Sequence, residues 1–477
     1  MESIWSQLCH IPQRPPLPGG LHTEVAVIGA GLAGILTAFA LQQAGHRVVV
    51  LEARRIASGQ SRNTTAKVTS QHGLLYDRLI RRLGEDKAGQ YAQANQRALE
   101  AYRQLIAAQG IRCDWQECPA YVYGSRAEPL QAEADAAARL GLPASFVQQV
   151  PLPFPTAGAV LFAHQAQCNP LLLLRALAEP LTIYEQTPVQ HVEGGRLETP
   201  RGTVQAEHIV FACHFPFVDL PGAFFSRMHQ ERSYVLALEG AAPLAGMLIG
   251  SGEDSYSFRS YGDLLLLGGG AHRAGRNPQG GRYDLLRQKA REWFPGSREV
   301  ACWSAQDCIT PDSVPYIGRY AADRPQWYVA TGFQKWGMTH SMAAAQLLTG
   351  LIGGKEPPYA SLFAPSRLAL SALPGLAAEG GQAVRGLAKR FLQIPAESAQ
   401  SIPPGHGGAV LLEGEKVGVY KAEDGSLYPV DLRCPHLGCQ LEWNPDERSW
   451  DCPCHGSRFD RFGRLLSGPA MEDICHG

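Results

Sequence analysis

Four residues near the C-terminal end have the types and spacing of a metal site. Cys434-Pro-His436-Leu-Gly-Cys439 is followed by Cys452-Pro-Cys454-His455-Gly-Ser457. Each loop offers a thiolate and an imidazole, Cys434 with His436 and Cys452 with His455. Two thiolates plus two imidazoles bind a [2Fe-2S] cluster with Cys on one iron and His on the other. A Cys2His2 set also suits tetrahedral zinc, which remains the alternative and leaves Cys439 and Cys454 without a task.

A second constellation lies at the other end of the chain. Gly29-Ala-Gly31-Leu-Ala-Gly34 joins a strand candidate, Glu24 to Ile28, to the helical text Ile35 to Ala44. Dinucleotide binding needs these glycines in turn: Gly29 for a tight turn, Gly31 for close approach to a pyrophosphate, Gly34 for helix-on-strand packing. The helix N-terminus then faces the phosphates. The next strand, His46 to Leu51, ends in Glu52, a carboxylate placed to accept ribose hydroxyls. An acid there, rather than an arginine, disfavours a 2′-phosphate and points to FAD or NAD.

These groups must be positioned by a large scaffold. The chain has 477 residues, 43 Lys plus Arg, 44 Asp plus Glu and a net charge of -1, enough length for two to four domains and a sizeable core. Near-zero charge without basic runs excludes the electrostatic footprint of nucleic-acid or anionic-membrane binding. The N-terminal text has no signal-peptide pattern and no apolar stretch is long enough to span a bilayer, so no integral membrane segment is expected. Eight of the twelve cysteines are scattered, which suits a reducing compartment, and the expected localisation is cytoplasmic. Up to Gly354, β-branched runs alternate with Ala/Leu/Gln-rich helical text, an α/β pattern with an added sheet. Residues 366–402 read as a helical linker. After Pro403 come short strand candidates, Ala409 to Leu412, Val417 to Lys421 and Leu427 to Leu432, marking a small β domain at 403–477.

Further segments carry a resemblance. Ser58-Gly59-Gln-Ser-Arg62-Asn63-Thr64-Thr65-Ala66-Lys67, the strand His208 to Cys213, Thr310-Pro311-Asp312-Ser-Val-Pro315-Tyr-Ile-Gly318 and Ala330-Thr331-Gly332-Phe333-Gln-Lys335-Trp336-Gly337-Met338-Thr339 resemble the D-amino-acid oxidase and glycine oxidase superfamily. The resemblance implies non-covalent FAD held by Gly29, Gly31, Gly34, Glu52, Ala53, Arg54, Ser58, Gly59, Thr64, Thr65, Val189, Gly332 and Gly337. It also implies a fold in which residues 1–365 form a Rossmann-like FAD domain, with the fingerprint at 24–54 and an inserted antiparallel substrate domain. The C-terminal loops resemble Rieske proteins of the cytochrome bc type. That resemblance implies a disulfide between Cys439 and Cys454, a serine hydroxyl (Ser457) directed at a bridging sulfide, and a covering loop at Gly468-Pro469-Ala470. Where those proteins usually have a tyrosine this chain has Phe459, which implies one hydrogen bond fewer to the cluster and a lower potential.

The order of domains resembles bacterial FAD-dependent oxidoreductases with a C-terminal Rieske domain. It implies hydride transfer from a small amine, amino acid or hydroxy acid to FAD, then one-electron transfer to the cluster and an external carrier. Reverse flow, from a carrier through the cluster to FAD, and a non-catalytic redox sensor are the alternatives. A Rieske oxygenase is excluded because only 22 residues follow His455, too few for a mononuclear iron domain. Substrate-side candidates are Lys67, His72, Arg259, Lys335, Trp336 and His340; Arg259 could clamp a carboxylate in bidentate fashion. Cys213 and Cys308 are expected to pack as buried small residues.

Overall fold

The strand Leu21–Ile28 is buried without a break from Val25 to Ile28 because every side chain there is apolar and both faces must be covered. It lies mid-sheet in the order Tyr316–Ala321, Arg324–Thr331, Gly202–Phe211, Leu21–Ile28, Val48–Leu51, Thr182–Tyr184. Pairing is parallel throughout except for the Tyr316–Ala321 edge. The computed structural model describes residues 2–252, 255–367, 398–412 and 414–475. The expected linker helix, Leu368 to Gln393, lies outside the described residues.

Gly34 shows why the fingerprint admits no side chain. A Cβ there would lie 1.9 Å from the Gly29 carbonyl oxygen, so the helix Leu32–Gln43 could not settle against the strand that feeds it. The helix Gly337–Ile352 packs on the same helix. A second, largely antiparallel sheet runs Arg298–Ile309, His229–Glu239, Leu264–Arg273, Ser257–Tyr261, Met247–Gly250, Gln116–Tyr123, Ala159–Gln167, Lys67–Val68. The C-terminal region is all-β, with one sheet of Gly407–Leu412, Glu415–Lys421 and Leu427–Asp431. Its other sheet comprises Glu442–Asn444, Ser449–Asp451, Arg458–Asp460 and Leu465–Ser467. Its three expected strands therefore form within a residue or two of where alternation placed them. The fold class read from the sequence is the one observed.

The two parts are joined through buried polar contacts. Arg232, on His229–Glu239, donates to Asp451 at 2.5 Å and to Gln306 at 2.6 Å, with Arg232 and Asp451 both fully buried. Burial would raise the Asp451 carboxyl, but Arg232 and Arg458 overcome it and hold it at about 2. Asn444 and Ser449 also donate to Asp451. Beside this pair Gly275, at φ +70°, brings its backbone against the cluster loop; a Cβ would lie 2.5 Å from the Pro453 nitrogen.

Removing one partner of such a pair strands a buried charge, at a cost of about 3–5 kcal/mol. Arg232→Ala is expected to lower the thermal midpoint and split unfolding into two transitions. The double variant Arg232→Met with Asp451→Leu should cost less than Arg232→Ala, as read by calorimetry.

Candidate functional site: a flavin cavity walled by the cluster domain

The cluster pocket is built by two loops. His436 Nδ1 and His455 Nδ1 face each other at 3.1 Å, and the Cys434 and Cys452 thiols are within hydrogen-bonding reach of one another. Cys439 and Cys454 are disulfide-bonded, tying the loops together. Ser457 Oγ accepts from the Ala470 amide at 3.0 Å and its hydroxyl reaches Cys434. This seats Gly468-Pro469-Ala470 over the pocket. Two paired thiols and two facing Nδ1 atoms, on loops tied by a disulfide, fit a [2Fe-2S] cluster that Cys434, Cys452, His436 and His455 would hold.

The FAD site is a cavity of about 560 Å³. Gly29, Gly31, Glu52, Ala53, Arg54, Ser58, Gly59, Thr64, Thr65, Val189, Gly332 and Gly337 all line it. Gly34 lies behind it, in the helix-packing role expected. Glu52 accepts from the Ala30 amide at 2.7 Å and the Arg54 amide at 2.9 Å, while burial raises its carboxyl against those bonds. The glycine-lined turn at the end of the first strand, with a helix N-terminus beyond it, fits a dinucleotide pyrophosphate.

Lys67, Lys335 and Trp336 line the same cavity. Lys67 donates to the Leu248 carbonyl at 3.1 Å, and burial, reinforced by Arg259, lowers its ammonium to about 7. Lys335 pairs with Glu231 at 3.2 Å. Arg259 departs from its expected place as a carboxylate clamp. It is fully buried behind the cavity, where its guanidinium donates to the carbonyls of Thr65, Ala66 and Cys168 and stacks on Trp5. With Trp5 donating to Thr64 O and Trp303 to Asn63 O, it braces the Asn63–Ala66 loop. A long cation on a buried strand satisfies itself with the nearest carbonyls, and here those belong to the loop.

His72 and His340 also stand outside the cavity wall. Tyr91 Oη lies 2.7 Å from His72 Nδ1 and 3.0 Å from His340 Nε2, while their other ring nitrogens face the Thr69 and Phe333 carbonyls. Burial lowers both imidazoles, His340 to about 4, and His72 supports the cavity by stacking under Trp336 at 4.8 Å. Cys308 is buried, its Sγ 3.4 Å from His214 Nε2, and it lines the cavity with Cys213.

Several residues emerge only from the tertiary arrangement. Leu465 to Met471 of the C-terminal domain form a wall of the flavin cavity, and Arg54 donates to Leu465 O at 3.1 Å. Gln230 donates to His455 O, and Gln306 to Gly456 O, at 2.6 and 2.7 Å. Asp219, from the FAD domain, accepts from His436 Nε2 at 2.8 Å. No spacing pattern connects such pairs, which lie 150 or more residues apart. Asp307, a charged residue inside the strand Arg298–Ile309, also lines the cavity, and a lone acid in such strand text is a signal readable from the sequence.

Comparison with known proteins agrees with this geometry. The profile of the DAO family, FAD dependent oxidoreductase, matches residues 24–351. The chain belongs to that family. A Rieske [2Fe-2S] domain profile matches residues 393–475, which sets zinc aside, so FAD and a [2Fe-2S] cluster are its cofactors. The chain is an FAD-dependent oxidoreductase. It is 36% identical over 494 residues, 99% of its length and 97% of the relative's, to a putative Rieske 2Fe-2S iron-sulfur protein of Bacillus subtilis, YhfW. A cytochrome b6-f complex iron-sulfur subunit of Trichormus variabilis is 34% identical over 28% of this chain and 77% of its own. Among solved structures, glycine oxidase from Geobacillus kaustophilus superposes with TM-score 0.61 at 20% identity, covering 73% of this chain and 99% of that one. L-proline dehydrogenase from P. horikoshii gives 0.62 at 17% identity over 74% and 98%. These likenesses show the fold. Among the described residues no helix is long and apolar enough to cross a membrane.

Two outcomes follow. Gly34→Ala forces the helix off its strand at a cost of about 1–3 kcal/mol, and the purified variant should retain the cluster's EPR signal while losing bound FAD. Asp219 places negative charge on a ligand imidazole, which stabilises the oxidised cluster. Asp219→Asn should raise the cluster midpoint on the order of 60 mV, the equivalent of a tenfold change for one electron, in an EPR-monitored redox titration.

Proposed function

We propose that this chain oxidises a small amine, amino acid or hydroxy acid at the carbon bearing nitrogen or oxygen. Electrons then pass singly to the Rieske cluster and out to an external one-electron carrier, in the cytoplasm. When bound, FAD supplies a two-electron acceptor for a hydride and the cluster a one-electron acceptor.

The observation that carries this reading is the thickness of the wall between the two cofactor sites. Alternation on the paired strands His229–Glu239 and Arg298–Ile309 turns Ser233, Ala305 and Asp307 to the cavity. It turns Gln230 and Gln306 to the cluster loops, where they hold His455 O and Gly456 O. A single layer of β-sheet therefore separates the cavity from a cluster ligand of the same chain. Phe215, whose ring lies 6.3 Å from that of His455, also lines the cavity. The Leu465–Met471 wall keeps water from that side, and Gln230 and Gln306 fix the ligand loop against the sheet.

Anaerobic mixing of oxidised protein with amines, amino acids and hydroxy acids tests the reading. One compound should bleach the flavin, and a reduced Rieske EPR signal should follow. Gln306→Leu should slow the second event and leave the first unchanged. A Rieske signal from dithionite with no response to any compound, and reduction of both centres by a low-potential carrier protein, would instead mean electron flow from cluster to flavin.

A further inference from the structure

Five charged side chains among the described residues line the flavin cavity: Glu52, Arg54, Lys67, Asp307 and Lys335. Four are committed. Glu52 holds two backbone amides, Arg54 donates to Leu465 O, Lys67 donates to Leu248 O, and Lys335 is paired with Glu231. Glu231 is itself held at about 2, by His229 first, against its own burial and with help from Lys335. Asp307 makes no hydrogen bond or ion pair with any described residue.

Its position explains why. Asp307 sits directly across the strand pair from Glu231, on the cavity face, while its neighbour Gln306 is turned to the cluster domain. Lys335 comes from the turn between Gly332 and Gly337 and is drawn to Glu231. The half-buried Asp307 carboxyl is pushed up to about 7, chiefly by desolvation, with Lys335 opposing and Glu231 adding. A cavity-facing carboxylate that no described side chain pairs with is placed to accept N–H donors and positive charge from a ligand. Arg259, the guanidinium that could have received a substrate carboxylate, is spent on backbone carbonyls.

We infer that the substrate carries an ammonium group and that Asp307 is the residue that anchors it, making the substrate class an amine rather than a hydroxy acid. The inference rests on the oxidation proposed above and narrows it. It places the selective contact on the sheet layer that separates cavity and cluster.

The test uses the FAD-loaded full-length protein and two isosteric probes. tert-Butylammonium has no C–H on the carbon bearing nitrogen and cannot be oxidised; pivalate presents a carboxylate on the same tert-butyl body. Binding is read from the shift of the oxidised flavin's visible band. tert-Butylammonium should bind the native protein, and Asp307→Asn should weaken it by roughly 10- to 100-fold, the worth of one charge-assisted hydrogen bond. Asp307→Glu should recover part of the affinity, and pivalate should not be weakened by Asp307→Asn. FAD content and thermal midpoint of the variants establish that the cavity is intact. Unchanged tert-butylammonium affinity in Asp307→Asn, no band shift with either probe, or pivalate as the tighter ligand would overturn the inference. Should tert-butylammonium bind through Asp307 while no amine bleaches the flavin, the oxidation reading fails and the ammonium site stands.

Discussion

The arrangement depends on a fully buried charge pair. Arg232 and Asp451 belong to different domains and neither reaches solvent, so each satisfies the other only while the Rieske domain is seated on the FAD domain. Undocking would separate the two charges, and docking in any other register would bury the Arg232 guanidinium without its carboxylate, while Asp451 would keep only Arg458 of its own domain. Such a pair contributes geometry more than stability. Asn444 and Ser449 add hydrogen bonds to Asp451 and Gln306 accepts one from Arg232, and the contacts that align the cofactor sites radiate from it. Gln230 and Gln306 grip the His455 loop, Gly275 admits Pro453, and Asp219 meets His436.

With the domains registered in this way, each cofactor site borrows from the other domain. The flavin cavity takes a wall from Leu465 to Met471, and a cluster ligand takes its carboxylate partner from Asp219. An imidazole bonded through its second nitrogen is oriented by that partner, so the FAD domain fixes the setting of the His436 ring. The loop Asn63–Ala66 is held the same way, by long side chains from distant strands and the N-terminal helix. Arg259, Trp5 and Trp303 point their donors at its carbonyls, which leaves the loop's other face for the cofactor.

Much of the cofactor machinery was legible in the chain because its geometry is local. The glycines at 29, 31 and 34, Glu52 after the second strand, and the Cys-x-His and Cys-x-x-His loops specify binding sites within a few residues of backbone. The disulfide and the strands of the C-terminal domain followed from resemblance and alternation. The substrate side was less legible. Lys67, Lys335 and Trp336 do reach the cavity, whereas Arg259, His72 and His340 are turned into supporting contacts. A side chain's identity does not say whether a ligand or a buried carbonyl will be nearest to it.

The sequence by itself determined which cofactors bind, the order of the domains and the two loops that carry Cys434, His436, Cys452 and His455, because short-range spacing and turn chemistry suffice for those. Tertiary structure alone decided that one sheet layer lies between cavity and cluster loops, that Asp219 meets His436, and that Asp307 faces the cavity opposite Glu231 with no hydrogen bond to its carboxylate among the described residues. These are relations between residues 76 to 217 positions apart, and they exist only once two strands have paired in one register and a buried ion pair has locked the second domain against them.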